Sequence, residues 1–185
     1  MEKSYDVIIV GAGPAGMFAA LEITKKNPNL KVVVVDMGSR IENRSGNEVM
    51  SGFGGAGTYS DGKLHFTPKL SHERTFHLIK PEDYQIILNE IDEIFMSFGV
   101  DSEDYPKNRY DVEMMIDEAQ KHDIELIVRR MKHVGSDKLK EVMKNFQDHL
   151  ENKGIELMEK TEVLDIIVEN GKVRGVKTNK GDMFA

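Results

Sequence analysis

Neither cysteine nor tryptophan occurs in these 185 residues. Without cysteine there is no disulfide, no Cys-ligated zinc, no iron–sulfur cluster, no dithiol redox pair and no cofactor linked through sulfur. Any redox chemistry therefore belongs to a bound cofactor. Cationic clusters are missing too: Lys and Arg never run longer than a pair, and 25 of them stand against 32 Asp and Glu, a net charge of −7. Such a chain lacks the electrostatic footprint for a phosphate backbone, so no nucleic-acid partner is expected. Nor is there a long apolar run. Residues 7–10 lead straight into Gly11-Ala12-Gly13, far too short to cross a bilayer, and Asp6 stands where a signal peptide would be cationic. The expectation is a soluble cytoplasmic protein with no membrane span. What is present, 39% hydrophobic and 31% charged residues with 16 glycines, is globular composition for one core carrying an inserted lobe.

Residues 5–10 are apolar on both parities and predict a strand buried on both faces of a parallel sheet; residues 31–36 repeat the pattern. Between them residues 14–26 are apolar nearly all round and stop at Asn27-Pro28-Asn29, which predicts a buried helix. Six glycines between positions 46 and 62 then mark a shaped loop. Helices are expected over residues 81–98, from Asp111, and from Ser136 or Asp137 to Gly154, with a short strand at 124–128. The apolar positions Tyr84, Ile87, Ile91, Ile94, Phe95 and Phe98 of the first of these, and Leu139, Val142, Met143, Phe146 and Leu150 of the last, read as core. A strand at 155–158 precedes two apolar runs, 161–168 and 172–178, joined at Asn170-Gly171, a strong hairpin signal, and residues 182–185 begin another strand.

Gly11-Ala12-Gly13-Pro14-Ala15-Gly16 is G-x-G-x-x-G, and it leaves a buried strand and opens a buried helix, the context its mechanism requires. Gly11 makes the tight turn, Gly13 lets a pyrophosphate approach the backbone, and Gly16 lets the helix pack on the sheet, with free N–H groups facing the anion. Asp36, 20 residues beyond Gly16, stands where a carboxylate takes the ribose hydroxyls of an adenosine and repels a 2′-phosphate. FAD and NAD share this ADP half. The meander after Gly154 and the second glycine cluster, residues 52–63, favour FAD, because small residues let backbone lie against a large flat ring or more pyrophosphate.

At YDVIIVGAGPAGMFAALE (5–22), GFGGAGTYSDGKL (52–64), MKHVGSDKL (131–139) and GIELMEKTEVLDIIVENGKVRGV (154–176) the chain resembles the uncharacterised FAD-dependent dehydrogenases of the glutathione-reductase-like flavoprotein superfamily. The resemblance implies an α/β fold: a Rossmann-like FAD-binding domain with a parallel sheet, a β-meander and an inserted, mainly helical lobe. The expected division is 1–63 and 136–185 for the FAD-binding domain and 64–135 for the lobe. By the same resemblance Gly11, Gly13, Pro14, Ala15 and Gly16 hold the FAD pyrophosphate and Asp36 the ribose. Gly55, Ala56, Ser60 and Gly62 lie along the cofactor towards the flavin, and the Val163 backbone contacts adenine. Relatives carry cysteines between the acidic residue and the glycine loop where this chain has none. The family is also longer, which implies that the chain is the N-terminal part of a flavoprotein, C-terminally incomplete, whose missing part is a needed partner.

The activity implied is an FAD-dependent oxidoreductase of dehydrogenase type, with non-covalent flavin carrying hydride or electrons, a small-molecule substrate and NAD as an external electron donor. Two alternatives stand beside it: a dinucleotide-binding fragment without turnover, and a relative of prenyl reductases or thiazole synthases. His133 is the candidate for proton transfer, its ordinary pKa lying near operating pH, against the plainer reading of a hydrogen-bonded structural histidine. Asp61 and Lys63 are placed to pair with each other or touch the flavin. His65, His72 and His77 lack metal-ligand spacing, and no metal is assigned.

Overall fold

The computed structural model describes residues 3–68 and 78–185. In chain order the elements are β1 (Lys3–Ser4), β2 (Val7–Val10), α1 (Pro14–Lys26), β3 (Val32–Val35), β4 (Lys63–His65), α2 (Pro81–Ser97) and β5 (Asp104–Tyr105). There follow α3 (Arg109–Gln120), β6 (Met131–His133), α4 (Ser136–Asn152), β7 (Glu156–Met158), β8 (Val163–Glu169), β9 (Lys172–Thr178) and β10 (Gly181–Phe184). Two compact units result, Met1–Ser60 with Leu139–Ala185, and Asp61–Lys138.

The first unit is built on β3. Its four valines are β-branched and apolar on both faces, and all are buried, because β3 is the central strand of a parallel sheet in the order β2-β3-β7. α1 starts at Pro14, whose missing N–H costs nothing in a first turn, and ends at Asn27. It meets α4 edge to face through Phe18 and Phe146, ring centroids 5.1 Å apart. Leu139, Val142, Met143, Phe146 and Leu150 of α4 are all buried, as their spacing predicts. A second sheet, β1-β10-β9-β8, carries the meander; Asn170 (φ 52) and Gly171 (φ 73) make the two-residue turn between β8 and β9. Tyr5, Val33, Val35, Val176 and Met183 form the apolar cluster that joins the meander to the parallel sheet.

Three expectations need correction. The strand over residues 5–10 is shorter and only half-buried, with Val10 57% exposed, because β2 is the edge of its sheet among the described residues. Residues 124–128 form no strand: β6, a few residues on, takes both neighbours, β4 and β5, and β-propensity without a pairing partner makes no ladder. On α2 the buried stripe is Leu88, Asp92 and Phe95, while Ile87 faces outward, and on α3 no residue is buried.

Asp92 explains the shifted stripe. In the second unit its carboxylate, 5% exposed, takes Lys132 Nζ at 2.6 Å on one oxygen and the Arg130 guanidinium on the other. Arg130 Nε continues to Asp104 Oδ2 at 2.9 Å, and Lys132 also reaches Met96 Sδ at 3.2 Å. Burial pulls the Arg130 pKa down, but Asp104 and Asp92 together outweigh it and hold the pKa above its ordinary value. Removing one member of such a group strands a buried charge. Lys132→Met is therefore expected to cost about 3–5 kcal/mol, read as the shift of the urea unfolding curve. A loss below about 1 kcal/mol would mean that the pair behaves as a surface one.

Candidate functional site

β2 ends at Val10 and the chain turns at Gly11, whose φ of +100° suits glycine and whose N–H donates to Val35 O at 2.8 Å. Gly13 caps α1 with no side-chain bond, and no acidic residue stands in the first turn. Ala15 and Gly16 are first-turn positions, and their N–H groups have no acceptor among the described residues. This is the unsatisfied positive end of a 13-residue helix. A Cβ added to Gly16 would stand 2.0 Å from Gly11 O, so glycine is required there by close approach. The helix propensity of alanine, worth about 1 kcal/mol over glycine, is overwhelmed. Gly16→Ala is expected to lose about 2 kcal/mol or more net in thermal unfolding, and equal stability would show that the turn can yield.

The second glycine cluster comes to the first. Gly54 N–H donates to Ala12 O at 2.9 Å, and a Cβ on Gly55 (φ 68) would meet Gly13 Cα and Pro14 Cδ at 3.1 Å each. Gly55 opens a single turn at Ala56–Tyr59, and the N–H groups of Ala56 and Gly57 find no acceptor among the described residues. Above Gly13 the space is open: its Cβ would touch only Gly55 Cα, at 3.9 Å. Free N–H groups on two glycine loops, a helix amino end and a cradle without side chains fit the diphosphate of a dinucleotide.

Asp36, at the end of β3, is 9% exposed and ties this floor together. Its Oδ2 accepts Ala12 N–H at 2.8 Å, and its Oδ1 accepts Gly38 N–H at 2.8 Å and Gly52 N–H at 2.7 Å. Three of roughly four lone-pair positions are thus occupied by protein, which leaves one for a ribose hydroxyl. Thr161 N–H donates to Asp36 O at 2.8 Å, bringing the start of β8 alongside, with Val163 packed against the joining cluster.

Gly11, Gly13, Pro14, Ala15, Gly16, Asp36, Gly55 and Ala56 therefore share one locus, with Val163 at its margin. Ser60 closes the single turn, its Oγ donating to Gly57 O at 2.6 Å. Gly62 and His133 belong to the second unit. There the Gly62 carbonyl takes Val134 N–H at 2.8 Å, a Cβ on Gly62 would lie 2.4 Å from the Gly135 carbonyl carbon, and exposed His133 places Nε2 3.1 Å from Asp61 O. Asp61 does pair with Lys63, at 2.7 Å, and that hydrogen bond holds its carboxyl below the usual range. His65 is exposed on β4; His72 and His77 lie outside the described residues.

Sequence reasoning missed Arg44. It is buried among the main-chain carbonyls of residues 48–55, a role no side-chain pattern signals; the one hint is an arginine beside a glycine-rich loop that offers it no regular element.

These elements define a dinucleotide-binding α/β domain. Residues 6–183 match the family described as FAD binding domain, and the chain belongs to that family. A Clostridium beijerinckii protein described only as uncharacterized is 25% identical over 186 residues, covering 93% of this chain and 28% of its own length. Among solved structures, L-amino acid deaminase from Proteus vulgaris superposes with a TM-score of 0.58 at 16% identity, covering 100% of this chain and 46% of that one. L-proline dehydrogenase from P. horikoshii gives 0.57 at 17% (100% and 51%), and glycine oxidase from Bacillus cereus gives 0.55 at 23% (98% and 54%). At these identities the likeness is one of fold. The chain spans about half the length of these solved relatives and under a third of the curated one. Among the described residues no helix is long and apolar enough to cross a membrane.

Proposed function

We propose that the chain is the FAD-binding portion of a flavin-dependent oxidoreductase of dehydrogenase type, acting on a small molecule through non-covalently held flavin. The observation that carries it is the meeting of the two glycine loops over an uncapped helix amino end, Gly54 N–H to Ala12 O and Gly55 against Gly13 and Pro14. Gly11, Gly13, Ala15 and Gly16 would receive the diphosphate, Asp36 a ribose hydroxyl, the Val163 backbone the adenine, and Gly55, Ala56, Ser60 and Gly62 the stretch towards the flavin. Bound flavin would accept a hydride or electrons from the substrate. The protein supplies position and field: N–H dipoles at the anion, and a carboxylate that disfavours a 2′-phosphate. His133 is the group to hold or release a proton, its Nε2 standing 3.1 Å from the Asp61 carbonyl oxygen.

The solved relatives named for amino-acid deamination, proline dehydrogenation and glycine oxidation support amino acids as the first substrates to try; NADH is a separate electron donor to test beside them. The chain's coverage of about half of those structures favours a second reading, a dinucleotide-binding piece that holds FAD without turning over by itself. Adding FAD to the purified chain, removing excess by gel filtration and recording the spectrum tests both. A flavin spectrum bleached by an amino acid or by NADH supports the first; a bound flavin reduced only by dithionite supports the second. A colourless protein at saturating FAD contradicts both.

A further inference from the structure

We infer that Arg44 is the positioning residue of the FAD site: its guanidinium fork shapes the second glycine loop so that Gly55 meets Gly13 and Pro14, and a lysine cannot replace it. The inference rests on the reading that FAD binds between these loops.

Arg44 is nine-tenths buried, and its planar head holds four main-chain carbonyls. Nη1 donates to Phe53 O at 2.7 Å and Gly55 O at 2.9 Å; Nη2 donates to Glu48 O at 2.8 Å and Val49 O at 3.2 Å. No carboxylate pairs with it among the described residues, although Asp36 and Glu48 are near enough to favour its charge against the burial that disfavours it. The Tyr59 ring lies under the guanidinium, 4.7 Å from centroid to Cζ, and the Tyr59 hydroxyl donates to Arg44 O at 3.0 Å. The side chain passes beneath Gly52, where a Cβ would stand 2.8 Å from Cδ and 2.9 Å from Nε.

The loop is thus gripped by two opposite charges. Asp36 takes the Gly52 N–H, and Arg44 takes the next carbonyls, Phe53 and Gly55. Carbonyl oxygens drawn onto a cation are turned away from any anion on the other side of the strand of backbone, while the N–H groups of Ala56 and Gly57 stay free. An anion site lined by glycine needs this sorting, because a peptide loop otherwise offers acceptors as readily as donors. Only a fork with paired donors serves two carbonyls on each Nη; the lysine ammonium is a point charge with three donors.

The test compares the wild-type chain with Arg44→Lys, Arg44→Gln and Gly13→Val, measuring affinity for FAD by flavin fluorescence, affinity for AMP by calorimetry, and unfolding of each apoprotein in urea. AMP has an adenosine and one phosphate and makes little demand on the second loop. For Arg44→Lys the FAD affinity is expected to fall about tenfold or more, and for Arg44→Gln further, while AMP affinity stays within about threefold. FAD binding within about threefold of wild type in either Arg44 variant overturns the inference, and so does an equal fall for AMP and FAD, the mark of a residue that merely stabilises the unit. Tyr59→Leu keeps the fork and removes what it rests on. It is expected to give a milder form of the same split, and it decides the matter if neither Arg44 variant folds. Retained FAD binding in folded Gly13→Val, or none in wild type, would instead remove the reading beneath.

Discussion

Gly13→Val is expected to give a folded protein that binds no FAD. Gly13 has φ −69° and ψ 177°, an extended conformation that a β-branched residue adopts without strain. Its Cβ would meet only Gly55 Cα at 3.9 Å, ordinary van der Waals contact, so the protein itself has room for it. Apoprotein stability should stay within about 1 kcal/mol of wild type. The two valine methyls, however, would take up room on the side of Gly55, between the glycine loops, where the proposed diphosphate would have to lie. The contrast with Gly16→Ala is informative: at Gly16 the obstacle is the chain's own Gly11 carbonyl, at Gly13 it is the ligand. Flavin retained through gel filtration by folded Gly13→Val would place the diphosphate elsewhere.

The second large effect is expected at Asp36→Asn. The carboxylate accepts three main-chain N–H groups from three separate loops, at Ala12, Gly38 and Gly52. Asparagine offers one acceptor oxygen, so whichever way the amide turns, its NH2 faces a donor. Losing one or two charge-assisted bonds, each about 1.5–3 kcal/mol, predicts a loss of about 3 kcal/mol in urea unfolding. FAD affinity should fall together with stability, because the same atoms position Gly52 and leave the remaining lone pair for the ribose. Unchanged FAD affinity in a destabilised variant would show that Asp36 ties the loops and holds no cofactor.

Much of this architecture could be read locally. α1 lies between a G-x-G-x-x-G turn and Asn27, α4 buries the apolar stripe its spacing marks, and Asn170-Gly171 makes the hairpin, because caps, periodicity and turn chemistry act within a few residues. The helix amino end was legible for the same reason. What could not be read is made by main chain or across long separations. Arg44 is held by carbonyls, which every residue carries alike, and the Asp92–Lys132 pair spans 40 positions, so that nothing near Asp92 in the sequence marks it as part of the buried stripe of α2. Residues 124–128 failed in the opposite sense: their composition asks for a strand, and the partners β4 and β5 belong to β6. The outward faces of Leu164, Ile166 and Val168 on β8 show likewise that apolar alternation marks a strand without ensuring what covers it.

The expectations for FAD binding all depend on an FAD diphosphate lying at the amino end of α1. Following the amide resonances of the 15N-labelled chain during an FAD titration tests it most directly. Saturable shifts are expected, largest at Gly13, Ala15 and Gly16, with Ala56 and Gly57 following. Saturation with FAD that leaves these five amides unmoved while others shift would contradict it.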